Sequence, residues 1–271
     1  MQYMLFLKLS FLQKKKLMNY KNFSLKVKKS ILKIALLSQC SHIGSNLSAV
    51  DILVTLYLKF IKSNKNFFIL SKGHACLSLY CILNELGYIK DKDLNSFGKN
   101  DSLLMAHASH KVPGVNFSTG SLGHGLPVAT GIALANKINK KKSKVFVLLS
   151  DGELDEGSNW EALLFSSHHK LNNLITIIDY NKLQSIDSVK NSLNLEPIRK
   201  KFESFGLKVL SIDGHNHNQI LKALNSNYSK PLVVIANTTK GKGVSFMENT
   251  VLWHYKSLNL ENYNKAIKNL K

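Results

Sequence analysis

Two short, almost wholly apolar runs, Val145-Phe-Val-Leu-Leu149 and Leu174-Ile-Thr-Ile-Ile178, constrain this chain more than any other feature. Runs of that length without alternation suit strands covered on both faces, as in a parallel sheet. A helical period over 158–171 separates them. Further strands are read over 207–212 and 232–236, the latter entered through Pro231, with helices over 196–205 and 218–224 before each. Strand, helix, strand in alternation predicts an α/β fold, a parallel sheet flanked by helices with right-handed crossovers. Upstream, the periodicity predicts helices over 24–39, 47–61, 73–87 and 122–137. The stretch from Ser96 to Gly120 has little periodicity and is rich in Gly, His, Ser and Asn, as functional loops are.

A length of 271 residues, 44% of them hydrophobic, is enough for one compact domain with a real core. That domain is expected over 24–271. Residues 1–23 are read as an N-terminal extension, either disordered or the product of a misassigned start, with Met18 as an alternative initiator. No run of 18 consecutive apolar residues crosses a membrane. The apolar start at Met1 to Leu12 precedes its lysines, the wrong order for a secretory signal. Cys40, Cys76 and Cys81 are odd in number and lack metal-ligand spacing, which points to a reducing, cytoplasmic compartment.

The formal charge of +20 raises a nucleic-acid or membrane partner. Yet Arg199 is the only arginine among 37 basic residues, and the forked guanidinium is what reads guanine and phosphate bidentately. No aromatic side chains interleave with the runs at Lys14 to Lys16 and Lys140 to Lys142. The charge is therefore read as a solvated lysine-rich surface, without nucleic acid or membrane, that helps steer anionic substrates.

In parallel sheets ligands sit outside the carboxyl ends of the strands. Ser150-Asp151-Gly152 follows the first apolar run and Asp179-Tyr180-Asn181 the second. Asp151 and Asn181 are 30 positions apart, the length of one crossover, so both side chains reach one crevice. A carboxylate and an amide carbonyl are hard donors that leave positions of an octahedral Mg²⁺ free for a diphosphate and water. Gly152 allows the backbone to approach that diphosphate. Alone, either residue is equally a helix cap or an Asx-turn; the pairing singles them out.

The segment from Ser150 to Gly157, followed by Ile-Asp-Tyr-Asn181, resembles the thiamine diphosphate motif in its transketolase form, with Ser150 where a glycine is usual. Four more segments fall in the transketolase order: Ser41 to Ser48, Leu70 to Ala75, Val112 to Val115 with Ser118 to Gly125, and Lys240 to Glu248 ending at Trp253-His254. The likeness runs from about residue 24 to the C-terminus and is greatest to N-terminal subunits of transketolases encoded as two polypeptides.

The resemblance implies transfer of a two-carbon ketol unit from a ketose phosphate to an aldose, with thiamine diphosphate and Mg²⁺, or Ca²⁺ or Mn²⁺ in its place. It implies that His74 touches the diphosphate, that Gly120 and Leu122 lie along the aminopyrimidine, and that Asp151, Asn181 and the Leu183 carbonyl hold the metal. His42, His107 and His254 match histidines facing the sugar and the diphosphate, and histidine suits proton handling near neutral pH. His110, His168, His169 and His217 are read as structural; His124 and His215 stay open. Glu156 and Glu161 are either solvent-facing carboxylates at a helix start or, as the resemblance implies, part of a carboxylate chain between two active sites. The resemblance also implies a separate pyrimidine-binding C-terminal subunit, self-association through the cofactor domain, and sugar phosphate substrates. A 1-deoxy-D-xylulose-5-phosphate synthase-like enzyme and a non-catalytic assembly or basic binding module are the competing readings.

Overall fold

The computed structural model describes residues 2–61 and 65–270, with side chains from residue 19 onward. Helix α1 (Gln2–Ser38) leads through a turn to α2 (Ile43–Leu56), which runs into a π-helical turn at Tyr57–Ile61. Strand β1 (Phe67–Leu70), a 3-10 turn and α3 (Cys76–Glu85) follow, then a short α4 (Asp91–Leu94). From there to α5 (Gly125–Ile138) the chain has no regular element, as expected for the non-periodic stretch. The second half alternates β2 (Val145–Ser150), α6 (Gly157–His168), β3 (Leu174–Tyr180), α7 (Val189–Ser192), α8 (Ile198–Ser204), β4 (Lys208–Asp213), α9 (His217–Asn225) and β5 (Leu232–Asn237), and ends in α10 (Leu260–Asn269).

The five strands are all parallel, in the order β1-β2-β3-β5-β4. Every residue of β2 and β3 is buried. Alternate side chains enter two separate cores, because successive residues of a strand point to opposite faces. Phe146, Leu148, Ile175 and Ile177 pack with α1, α2 and α3, whereas Val145, Val147, Leu149, Leu174 and Ile178 pack with α5, α6 and α8. This two-sided burial is why the runs carry no polar alternation. The stretch Ile43–Ile61 is apolar and long enough to cross a membrane, but 89% of it is buried here as the central core helix.

Strand β1 and helix α10 have no counterpart in the sequence-based expectation. Four residues are too few to declare a period. Helix α10 is mostly polar, capped by the Asn259 side chain accepting from the Asn262 amide, and touches the core mainly through Ala266 and Leu270. Helix α1 is continuous across the boundary expected at residue 24. Tyr20 is buried and stacks on His217, with ring centroids 5.5 Å apart.

Candidate active site

The register that pairs Ser150 with Asp179 brings the ends of β2 and β3 level. Asp151 and Asn181 therefore leave adjacent strands at one height. Ser150, where a glycine is usual, is the last residue of β2, so its position demands no glycine conformation. A cavity of about 250 Å³ opens above these ends. Its lining includes His42, His74, His107, Gly120, Leu122, Asp151, Gly152, Asn181, Leu183 and His254. Every expected site residue except Glu156 thus meets at one place.

Asp151 is 1% exposed. Its carboxylate accepts from the Gly152 amide at 2.9 Å and the Lys182 amide at 2.5 Å. Burial and the nearby Asp179 carboxylate push Asp151 up to about 7. With the Asn181 amide oxygen and the Leu183 carbonyl it makes a set of hard oxygen donors, one charged and two neutral, which suits a divalent cation whose remaining positions go to a diphosphate. Among the described residues no three His, Cys, Asp or Glu side chains form a metal cluster of their own.

Three imidazoles form one wall. The His42 ring lies 5.4 Å from His74 and 4.7 Å from His254, and His74 lies 5.9 Å from His254. His42 sits just before α2 with φ 64°, a left-handed conformation that is uncommon outside glycine. It is stapled there: its amide donates to the His254 carbonyl at 2.8 Å, and the Asn46 side chain donates to its carbonyl at 2.9 Å. Burial, then the positive charge of His107, Lys240 and Lys72, lowers His42 to about 4. Burial and Lys240 lower His254 to about 3, and burial and Lys72 hold His74 well below its ordinary value. All three are neutral at physiological pH. The Lys240 ammonium donates to His254 Nδ1 at 3.1 Å, which leaves the His254 proton on Nε2.

His107 is exposed, on the irregular stretch between α4 and α5. A Cβ at Gly120 would come within 3.3 Å of its ring, so the glycine leaves the imidazole its space. Glu156 precedes α6, exposed and outside the cavity. Glu161 instead lines an open, largely apolar groove between α5 and α6 with Pro127, Leu134 and Phe165. His217 is buried against Thr55 and Tyr20, a structural histidine. His124 is exposed, its Nδ1 3.0 Å from the Leu122 carbonyl.

Sequence reasoning did not single out the buried charges beneath the cavity. Lys72 is fully buried and donates to Asp179 at 2.5 Å. Burial alone raises the Asp179 carboxyl, but the charge of Lys72 and hydrogen bonds from Lys72, Ser48 and Thr238 outweigh it, so the net shift is downward. Lys240 is 1% exposed and donates to the Leu183 and Gln184 carbonyls, both at 3.1 Å. Burial and Lys72 lower it to about 8. Glu153 accepts from Ser71, from the Gly123 amide at 3.1 Å and from the Ser150 amide at 3.3 Å, tying the 122–124 turn to the end of β2. Both lysines stand inside the motif segments, where they were indistinguishable from the lysine-rich background.

Residues 31–270 match the family model described as transketolase, thiamine diphosphate binding domain. One subunit of an apulose-4-phosphate transketolase from Actinobacillus succinogenes is 44% identical over 241 residues, covering 85% of this chain and 87% of the relative. One subunit of a 6-deoxy-6-sulfo-D-fructose transketolase from a Clostridium species is 35% identical over 242 residues, covering 84% and 88%. The crystal structure of transketolase from Campylobacter jejuni superposes with a TM-score of 0.84 at 31% identity; it covers 93% of this chain, which spans 42% of that one.

Proposed function

The chain belongs to the transketolase family, as its thiamine diphosphate-binding domain, and from that premise we propose that it is the diphosphate- and Mg²⁺-binding subunit of a two-chain transketolase. The observation that carries this reading is the convergence of Asp151, Asn181, Leu183, His74, His42, His107 and His254 on one cavity at the carboxyl ends of β2 and β3. Thiamine diphosphate, when bound, supplies the electron sink for ketol transfer.

The chain's own residues have separable tasks. Asp151, Asn181 and the Leu183 carbonyl hold the divalent ion. His74 donates to the diphosphate, and the buried ammonium groups of Lys72 and Lys240 supply positive charge from below. Gly120 and Leu122 lie along the aminopyrimidine, on a turn that Glu153 fixes. His42 and His107 face the sugar, where an imidazole can accept and return a hydroxyl proton. His254, with Nδ1 occupied by Lys240, presents Nε2–H as a fixed donor.

Relatives of nearly the same length are named as single subunits of transketolases, which supports a separate pyrimidine-binding partner chain. The apolar groove between α5 and α6, with Phe165 about half exposed, supports self-association beside Glu161. The cytoplasm is the compartment that fits three free cysteines. The substrate is a ketose phosphate or a related polyhydroxylated ketose in central pentose metabolism or a specialised sugar pathway. The test is ketol transfer by the purified chain with and without a candidate partner, on a panel including apulose 4-phosphate and fructose 6-phosphate. Turnover only in the mixture is expected; turnover by the single chain overturns the two-chain reading.

A further inference from the structure

We infer that His215 is a positioning residue for the crevice: its ring bridges Asp51 on the central helix α2 to the amide of Thr239, in the turn that delivers Lys240 to the site. The inference rests on the reading of the crevice as the diphosphate and metal site.

The proton positions follow from chemistry. The Thr239 amide donates to His215 Nε2 at 2.8 Å, so that nitrogen is bare. The proton is on Nδ1, which lies 2.9 Å from Asp51 Oδ2 and donates to it. Asp51 is 5% exposed and is also held by Lys28 Nζ of α1 at 3.1 Å. The imidazole is thus locked in one tautomer and one orientation by a carboxylate, the arrangement that orients histidines around metal sites.

What the ring holds is a turn with no regular structure and three consecutive anchors. The Thr238 hydroxyl donates to Asp179, the Thr239 amide to His215, and Lys240 Nζ to the carbonyls of Leu183 and Gln184 and to His254. These contacts reach the buried charge under the crevice, the core helix, and the loop that carries Leu183. The turn holding His215 is itself flush against this one. The Gly214 amide donates to the Asn237 carbonyl at 2.8 Å, and a Cβ on Gly214 would meet Thr238 Cγ2 at 2.5 Å. Asn216 caps α9 and Asp213 receives the His215 amide, so the backbone on both sides of the ring is fixed. His215 does not line the cavity and acts only through Thr239 and Lys240.

The test uses the full-length chain as wild type, H215A and H215Q. Ring ¹⁵N chemical shifts of His215 report the tautomer, amide hydrogen exchange reports Thr239, and calorimetric titration with thiamine diphosphate in Mg²⁺ reports the site. The expected tautomer has Nδ1 protonated and Nε2 bare. H215A is expected to lose Thr239 protection and to weaken cofactor binding by about tenfold or more. H215Q, which keeps an acceptor for the Thr239 amide, is expected to restore most of both. The two variants differ in whether the Thr239 amide keeps an acceptor, and thermal melts report any loss of stability common to both. A ring protonated on Nε2, or cofactor affinity and Thr239 exchange unchanged in H215A, overturns the inference. If the wild type binds no cofactor even with the partner chain present, the reading of the crevice fails, while the tautomer and exchange still decide whether His215 holds the turn.

Discussion

Lys72 and Asp179 form an ion pair with no exposure to solvent: Nζ lies 2.5 Å from Oδ2. Lys72 follows β1 and Asp179 lies on β3, so the pair reaches across the end of β2 beneath the crevice. Two buried charges cost more in lost hydration than their attraction returns unless other groups complete their hydrogen bonds. Here the Ser48 hydroxyl donates to Asp179 at 2.6 Å, Thr238 donates to its other oxygen, and the Ser45 carbonyl accepts from Lys72 at 3.2 Å. The floor of the site is therefore held rigidly, with the Lys72 charge balanced by Asp179.

Removing one partner leaves the other charge buried alone. D179A is expected to destabilise the chain by about 3–5 kcal/mol, read from the urea midpoint, and the double variant K72M/D179L to recover most of that loss. The pH dependence has a definite sign. A carboxyl whose folded value lies below its ordinary 3.8 contributes stability that is full above that value and lost as pH falls through the folded one. Asp51, whose burial would raise it but which His215 and Lys28 hold far below its usual range, acts in the same direction. The part of the stability that Asp179 and Asp51 supply should therefore be lost below about pH 4, and D51N should flatten the decline in that range. An acid limb as steep in D51N as in the wild type would remove Asp51 from this account.

The metal assignment stands on Asp151. D151A is expected to abolish Mg²⁺-dependent binding of thiamine diphosphate, and EDTA to produce the same loss in the wild type. D151N keeps the size of the side chain but only one of the two oxygens that accept from the Gly152 and Lys182 amides, and not the charge, so it is expected to fail to bind even where its thermal melt shows a folded chain. Titration calorimetry with unchanged affinity in either variant would mean that the metal site is elsewhere.

The sheet and its crevice were readable because burial on both faces removes polar residues from β2 and β3, and because donors placed just after a parallel strand share a crevice wherever the strands end level. The charged floor was not readable. Lys72 and Lys240 are distinguished from other lysines only by burial, and burial of a long cationic side chain follows from tertiary packing alone. Asp179 lay two residues before Asn181, on the same face of the strand by alternation, yet it is covered by Lys72 and only Asn181 reaches the cavity, a distinction set by a partner distant in sequence. Glu153 was hidden likewise, since its donors Ser71 and Gly123 come from two other segments.

His107 separates catalysis from stability. Its ring is exposed, so H107A should change unfolding free energy by no more than about 0.5 kcal/mol. Because His107 faces the sugar as a proton-handling group, H107A should lower turnover by about 10²-fold or more, with thiamine diphosphate affinity unchanged. Steady-state ketol transfer by the assembled enzyme measures the first effect and calorimetry the second. Parallel losses in turnover and cofactor affinity would instead place His107 against the cofactor.

Two glycines of α5 should respond in opposite directions to the same substitution. A Cβ on Gly125 would collide with Ser71 Oγ and lie 2.9 Å from the Ser71 Cα, and that serine hydroxyl holds Glu153. Alanine normally gains roughly 0.5–1 kcal/mol over glycine inside a helix, but at 125 the contact with backbone outweighs that gain. G125A is expected to lose about 1–3 kcal/mol by overpacking and to weaken cofactor binding, because the Glu153 contacts that fix the 122–124 turn are displaced with Ser71. At Gly131 a Cβ would meet nothing within 4 Å, and the residue is exposed. G131A is expected to raise stability by roughly 0.5–1 kcal/mol through helix propensity alone, without moving cofactor affinity. Thermal melts of the two variants read the stabilities, and a stabilised G125A would show that Ser71 can yield and that Glu153 does not depend on it.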